Sequence, residues 1–132
     1  MSTFNSLNEA IEYFKGDRFA ALNGMELIEL DERSALAAMT LDDRHKNANG
    51  GIMGGAIFTL ADLSFAALAN NIHLPTVAAQ VSINYLNAPK GNRLFARSSV
   101  IKQGKTTTVI KVDVTDDTGL DIALFTGTGF KL

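Results

Sequence analysis

The chain has 132 residues, of which 20% are charged, with a formal net charge of −2 and no cysteine. This length fits one domain, spanning 1–132, and suffices to bury roughly two thirds of its unfolded surface. The acidic balance excludes a basic field for nucleic acid or anionic lipid, and the missing cysteines exclude disulfides, thiolate nucleophiles and cysteine-based zinc sites. The opening Met1-Ser2-Thr3-Phe4-Asn5 lacks a basic region followed by an apolar one, so it does not read as a secretory signal, and a cytoplasmic protein is expected.

In chain order, Ser6-Leu7-Asn8-Glu9 has the form of a capping box, and Leu7, Ala10, Ile11 and Phe14 follow at helical spacing. The spacing predicts a helix over 7–15, with Gly16 as its stop. Leu22–Leu30 and Ser34–Leu41 partly alternate around the turn Asp31-Glu32-Arg33 and read as a hairpin. Asp42–Met53 is a loop rich in Asp, Asn and Gly, and a helix from Gly54 to about Asn70-Asn71 follows. After Pro75 the pattern turns to strands at 76–86, 94–101, 106–114 and 120–130, joined by Asn87–Asn92, Gln103-Gly104-Lys105 and Asp116–Gly119. Short turns make that part of the sheet antiparallel.

The helix over 54–69 is nearly all apolar, and Asp62 is its only charge. A helix apolar all round belongs inside a protein or a membrane. This one is shorter than the ~20 residues of a confident span, so no membrane is expected. A lone ionised carboxylate in apolar surroundings must be paired, shifted in pKa, or used. Asp62 therefore either holds a polar seam together or does chemistry. An antiparallel sheet wrapped round this helix would cover it, leaving sheet edges that favour oligomers.

The segment Asn47-Ala48-Asn49-Gly50-Gly51-Ile52-Met53-Gly54-Gly55 through Asp62 resembles the signature of the PaaI-type hotdog-fold thioesterases. In that family an Asn precedes a loop, His-Gly-Gly opens the central helix, and an Asp follows two turns later. Ser82–Pro89 resembles the family's third strand and exit turn, and Lys102-Gln103-Gly104-Lys105-Thr106 its next hairpin. The resemblance covers about residues 7–130. It implies an α+β hotdog fold, a long antiparallel β-sheet wrapped around the central helix. It also implies an acyl-CoA thioesterase acting on a small or aromatic acyl-CoA as homodimer or homotetramer.

By the same resemblance Asp62 is the general base or nucleophile, the Gly54 backbone N–H polarises the thioester carbonyl, and Asn47 positions water or substrate. Met53, Gly55, Tyr85, Lys102, Gly104 and Lys105 would contact substrate, with the lysines meeting the coenzyme A phosphates. No metal or prosthetic group is implied, since coenzyme A is part of the substrate. Gly54 and Asp62 are eight residues apart on one helix, about 12 Å, too far to hold one carbonyl. The family pairs the Asp of one subunit with the Gly and Asn of the other.

The family's His is Met53 here, and a Ser that some relatives carry on the third strand falls at Ala78, leaving Thr59 or Ser64 as substitute hydroxyls. His45 reads either as an exposed loop histidine or as a partner for substrate or Asp62. Neither His45 nor His73 has metal-ligand spacing or a triad context. Lys102 and Lys105 read equally as a solvated turn. The rival reading is a non-catalytic hotdog acyl-CoA binding protein in which Met53 marks lost chemistry. A hotdog hydratase would want a catalytic His, and a DNA-binding regulator a helix-turn-helix that is absent.

Overall fold

The computed structural model describes residues 2–132. Helix α1, Leu7–Phe14, begins where expected because the Ser6 hydroxyl accepts the Glu9 N–H at 3.1 Å, and it buries Ala10 and Phe14. The chain then departs from the sequence reading. Arg18–Leu22 forms a short helix, α2, and strand β1 starts only at Met25. Gly24, at φ +72°, turns the chain between them, a conformation that favours glycine. Strand β1 (Met25–Leu30) and β2 (Ser34–Thr40) form the expected hairpin. A single 3-10 turn at Asp43–His45 interrupts the next loop before helix α3, Gly54–Ile72.

Strands β3 (Thr76–Tyr85), β4 (Arg93–Gln103), β5 (Thr107–Asp116) and β6 (Asp121–Lys131) follow. All pairings are antiparallel and the order is β1-β2-β4-β5-β6-β3, so β3 crosses to the far edge. Side chains alternate along each strand. In β5, Thr108, Ile110, Val112, Val114 and Asp116 are buried while the residues between them are not. Helix α3 lies across the curved inner face of the sheet and touches every strand. Its length and composition would suit a membrane span, but most of its surface is inside the fold. The ring of Phe65 packs where a Cβ on Gly127 would stand 2.7 Å away, so β6 needs glycine there.

The two sheet edges differ. Helices α1 and α2 pack on β1. The outer edge of the ten-residue β3 is paired with no element among the described residues, and Val77 and Tyr85 on it are about half exposed.

Asp116 shows that a buried carboxylate in this fold can be wholly structural. One oxygen accepts the N–H groups of Lys90 and Gly91; the other accepts the Thr118 hydroxyl and the N–H groups of Thr118 and Leu120. The Thr118 hydroxyl foremost, with the backbone donors, holds the carboxyl well below the usual carboxylate range. Its stabilisation is complete above the unfolded value of ~3.9 and fades as the pH falls below that value. Asp116→Asn is expected to lower Tm by roughly 5–10 °C at pH 7. The deficit should shrink in melts at about pH 3, below the unfolded value.

Candidate active site

The loop before α3 is a closed unit. Asn47 donates its N–H to the Gly51 carbonyl at 2.7 Å, and its Oδ1 accepts the N–H groups of Asn49 and Gly51. Gly50, at φ +85°, makes the turn possible. The side-chain oxygen of Asn47 is thus engaged within the loop, and its exposed amide NH2 is the group left to donate elsewhere.

His45 fixes this loop to the rest of the fold. Its Nδ1 accepts the Asp42 N–H at 3.0 Å, so Nε2 carries the proton and donates to the Asn23 carbonyl at 2.8 Å. The ring is fully buried. Both readings of His45 from sequence, exposed loop residue and free partner for substrate, are therefore corrected: the imidazole is a structural strut. Arg44 adds a second tie, donating to the Leu22 carbonyl at 2.6 Å while its guanidinium pairs with Asp42 and holds that carboxyl down to about 2.

Helix α3 begins without a cap. Met53 is its N-cap residue and makes no side-chain capping bond. Among the described residues the N–H groups of Gly54 and Gly55 have no acceptor. A helix start in this state carries free donors and partial positive charge. The ring of Tyr85 lies 3.1 Å from where a Cβ on Gly54 would stand, and its hydroxyl donates to the Gly54 carbonyl at 3.0 Å. Gly54, Gly55, Met53 and Tyr85 therefore meet at one end of the helix.

Gly55, Thr59 and Asp62 follow one face of α3, and residues of α2 wall the space along it. A cavity of about 300 Å³ lies between them, lined mainly by Phe19, Met25, Met53, Gly55, Phe58 and Thr59. A second, of about 400 Å³, adjoins it along Phe19 and Thr59 and contains Asp62 with Asp17 and Arg18. Asp62 is half-buried and has no hydrogen-bond or ion-pair partner among the described residues. Burial first, and the neighbouring Asp17 charge second, raise its carboxyl above the usual range. Of the substitute hydroxyls, Thr59 borders both cavities, although it donates to the Gly55 carbonyl at 2.8 Å. Ser64 does not, being fully buried against the sheet with its hydroxyl on the Ala35 carbonyl.

The lysine turn lies elsewhere in the chain. Tyr85, beside Gly54, pairs with Ala123 at one end of β6, whereas Lys131 at the other end donates to the Gly104 carbonyl at 2.8 Å. Gln103 and the last residues of α3 line one small cavity. Lys102, Gly104 and Lys105 thus stand at the C-terminal end of α3, a helix length from Gly54. Arg97 is taken up by Glu29 on the outer face. No group of three or more His, Cys, Asp or Glu side chains that could hold a metal occurs among the described residues.

Residues 49–123 match the model of the thioesterase superfamily. The chain belongs to the thioesterase superfamily. It is 31% identical over 120 residues to the acyl-coenzyme A thioesterase PaaI of Escherichia coli K12, covering 90% of this chain and 86% of that protein. The solved structure of the E. coli PaaI protein superimposes with a TM-score of 0.88 at 29% identity, covering 95% of this chain and 91% of that one. A thioesterase protein of Streptococcus pneumoniae solved with coenzyme A gives 0.80 at 29% identity, covering 89% and 94%. The α+β hotdog fold follows, a six-stranded antiparallel sheet around a long central helix. As a superfamily member the chain is an enzyme, a thioester hydrolase.

In this thioesterase Met53 is 50% exposed at the helix start, where it lines the cavity beside Gly55. Met53→His is accordingly expected to keep Tm within about 2 °C of the wild type, as surface substitutions do. Thermal unfolding checks this, and a collapse would show Met53 to be packed core.

Proposed function

We propose that this chain is an acyl-CoA thioesterase that hydrolyses a small or aromatic acyl-CoA to the free acid and coenzyme A. The observation that carries the reading is the uncapped start of α3. Two unpartnered N–H groups open beside an apolar cavity, on the helix whose outer face also holds a half-buried carboxylate. The Gly54 N–H donates to the thioester carbonyl oxygen and stabilises the negative charge that grows there as the carbonyl is attacked. Asp62 takes the proton of the attacking water, or attacks the carbonyl itself to give an anhydride that water then opens. In either course the carbon–sulfur bond breaks and the departing thiolate takes up a proton. Asn47 positions water or substrate through its remaining amide donor. The step needs no metal or prosthetic group.

Two subunits assemble this site in our reading. Gly54 and Asp62 lie about 12 Å apart along α3, and the unpaired edge of β3 offers a surface for a second copy. Antiparallel pairing of two β3 edges about a two-fold axis would continue the sheet and set one protomer's Tyr85 end against the Thr76 end of the other. That arrangement brings the Lys102-Gly104-Lys105 turn of the second copy towards Gly54, where the lysines would meet the phosphates of coenzyme A. It would also turn the second copy's Asp62 towards the same carbonyl. The pairing supports a homodimer as the minimal active unit and leaves room for a homotetramer built from it.

The test is thiol release from short, long and aromatic acyl-CoAs. Hydrolysis of the short or aromatic members supports the reading. Coenzyme A esters that raise Tm with no thiol release would contradict it and favour binding without turnover.

A further inference from the structure

The cavity beside the middle of α3 brings three charged groups together: Asp62 from α3, and Asp17 and Arg18 from α2. None has a hydrogen-bond or ion-pair partner among the described residues. Asp17 is the more unusual. It occupies the N-cap position of α2, where an aspartate normally accepts an N–H of its own helix, yet its carboxylate makes no capping bond. It is spent on nothing local and shares the cavity with Asp62. The buried Ala20 and Leu63 form the apolar floor of the cavity, while Asp17, Arg18 and Phe19 line its exposed side, and the Thr59 hydroxyl is already committed to the Gly55 carbonyl. The next charged groups, Lys15 and Glu26, line a separate cavity that reaches Leu63.

We infer that Asp17 and Asp62 work as a carboxylate pair across this cavity, with Asp17 the positioning residue that strengthens Asp62 as a base. The inference rests on the role proposed for Asp62 above. Two carboxylates that share one cavity hold a proton more tightly than either would alone. In keeping with this, the Asp17 charge adds to burial in raising the Asp62 carboxyl, and burial raises Asp17 itself. A carboxylate with greater proton affinity takes a proton from water more readily, provided it remains ionised at the working pH. Asp17 touches no reacting atom; it acts through Asp62.

The sign of the effect follows. Asp62 works ionised, so the rate climbs with pH as the carboxyl loses its proton. Removing the Asp17 charge lowers the pH at which that happens. In Asp17→Asn the acid limb of kcat/KM should move to lower pH, and the plateau rate should fall several-fold. Asp17→Glu should keep the wild-type limb. Asp17→Ser, which retains a good N-cap residue, should repeat the Asp17→Asn shift should the amide disturb α2.

The deciding readout is the carbon-13 titration of the Asp62 carboxyl in the whole protein, wild type against Asp17→Asn and Asp17→Ser. A midpoint that moves to lower pH, with the acid limb moving alongside, is the expected result. A midpoint that stays in place in both variants overturns the pair. The titration does not depend on turnover, so it separates this inference from the catalytic role of Asp62. If Asp62→Asn keeps full activity, the role of Asp62 as base fails, while the Asp62 midpoint still decides whether Asp17 acts on it.

Discussion

Asp62→Asn is expected to lower kcat/KM by roughly 10²–10⁴-fold while leaving Tm and oligomeric state close to the wild type. The reason is the contrast with Asp116. Asp116 accepts five hydrogen bonds and ties two loops together; Asp62 accepts none among the described residues and faces a cavity. A carboxylate in that setting gives little to the fold, and the neutral amide relieves its burial and the repulsion from Asp17. Asparagine cannot take a proton from water at neutral pH. Activity and thermal unfolding measured on the same preparation check both halves of the expectation. A variant that unfolds would return Asp62 to the structural role that its sequence context also permits.

Gly54→Pro is expected to cost roughly 10²–10³-fold in kcat, the range for loss of one oxyanion donor. Proline deletes the backbone N–H and also brings a Cβ to within 3.1 Å of the Tyr85 ring. It is favoured at the first residue of a helix. The residue before it, Met53, already has φ −64° and ψ 133°, an extended conformation that proline accepts in its predecessor. The control is Gly54→Ala. It keeps the N–H and places its Cβ 3.1 Å from the Tyr85 ring, a contact that the tip of the tyrosine must relieve by a small shift. If alanine and proline lose the same activity, crowding against Tyr85 accounts for the loss and the N–H does not. If proline alone is impaired, the N–H donor is the functional group.

Much of the architecture was legible because it rests on patterns local in the chain. The apolar run from Gly54 announces a core helix, and the β-branched alternation of 106–114 announces β5, along which buried and half-buried residues alternate. Asp62 stood out because a single charge in such a run needs a reason. Helix α2 was not legible. It spans only Arg18–Leu22, too short for a period, and it leaves Phe19 and Leu22 exposed while burying Ala20. With it went the setting of Asp17 and the outer wall of both cavities. His45 misled for another reason: its partner is the Asn23 carbonyl, 22 residues away, and only the folded chain brings the two together. Resemblance puts the lysine turn beside the site, yet within one chain it sits at the far end of α3. Local sequence carries no signal for which strand ends lie by which helix end; that depends on β3 crossing to the far edge.

The most direct test of a site shared between two subunits is activity in mixed dimers of Asp62→Asn and Gly54→Pro chains, purified with two different tags. Each parent dimer lacks one component at both sites. A mixed dimer restores one complete site, with Asp62 from one chain and the Gly54 N–H from the other. The expected result is recovery to about half the wild-type rate per dimer. Mixed dimers as inactive as both parents, with subunit exchange confirmed, would contradict a site that joins Asp62 of one chain to Gly54 of another.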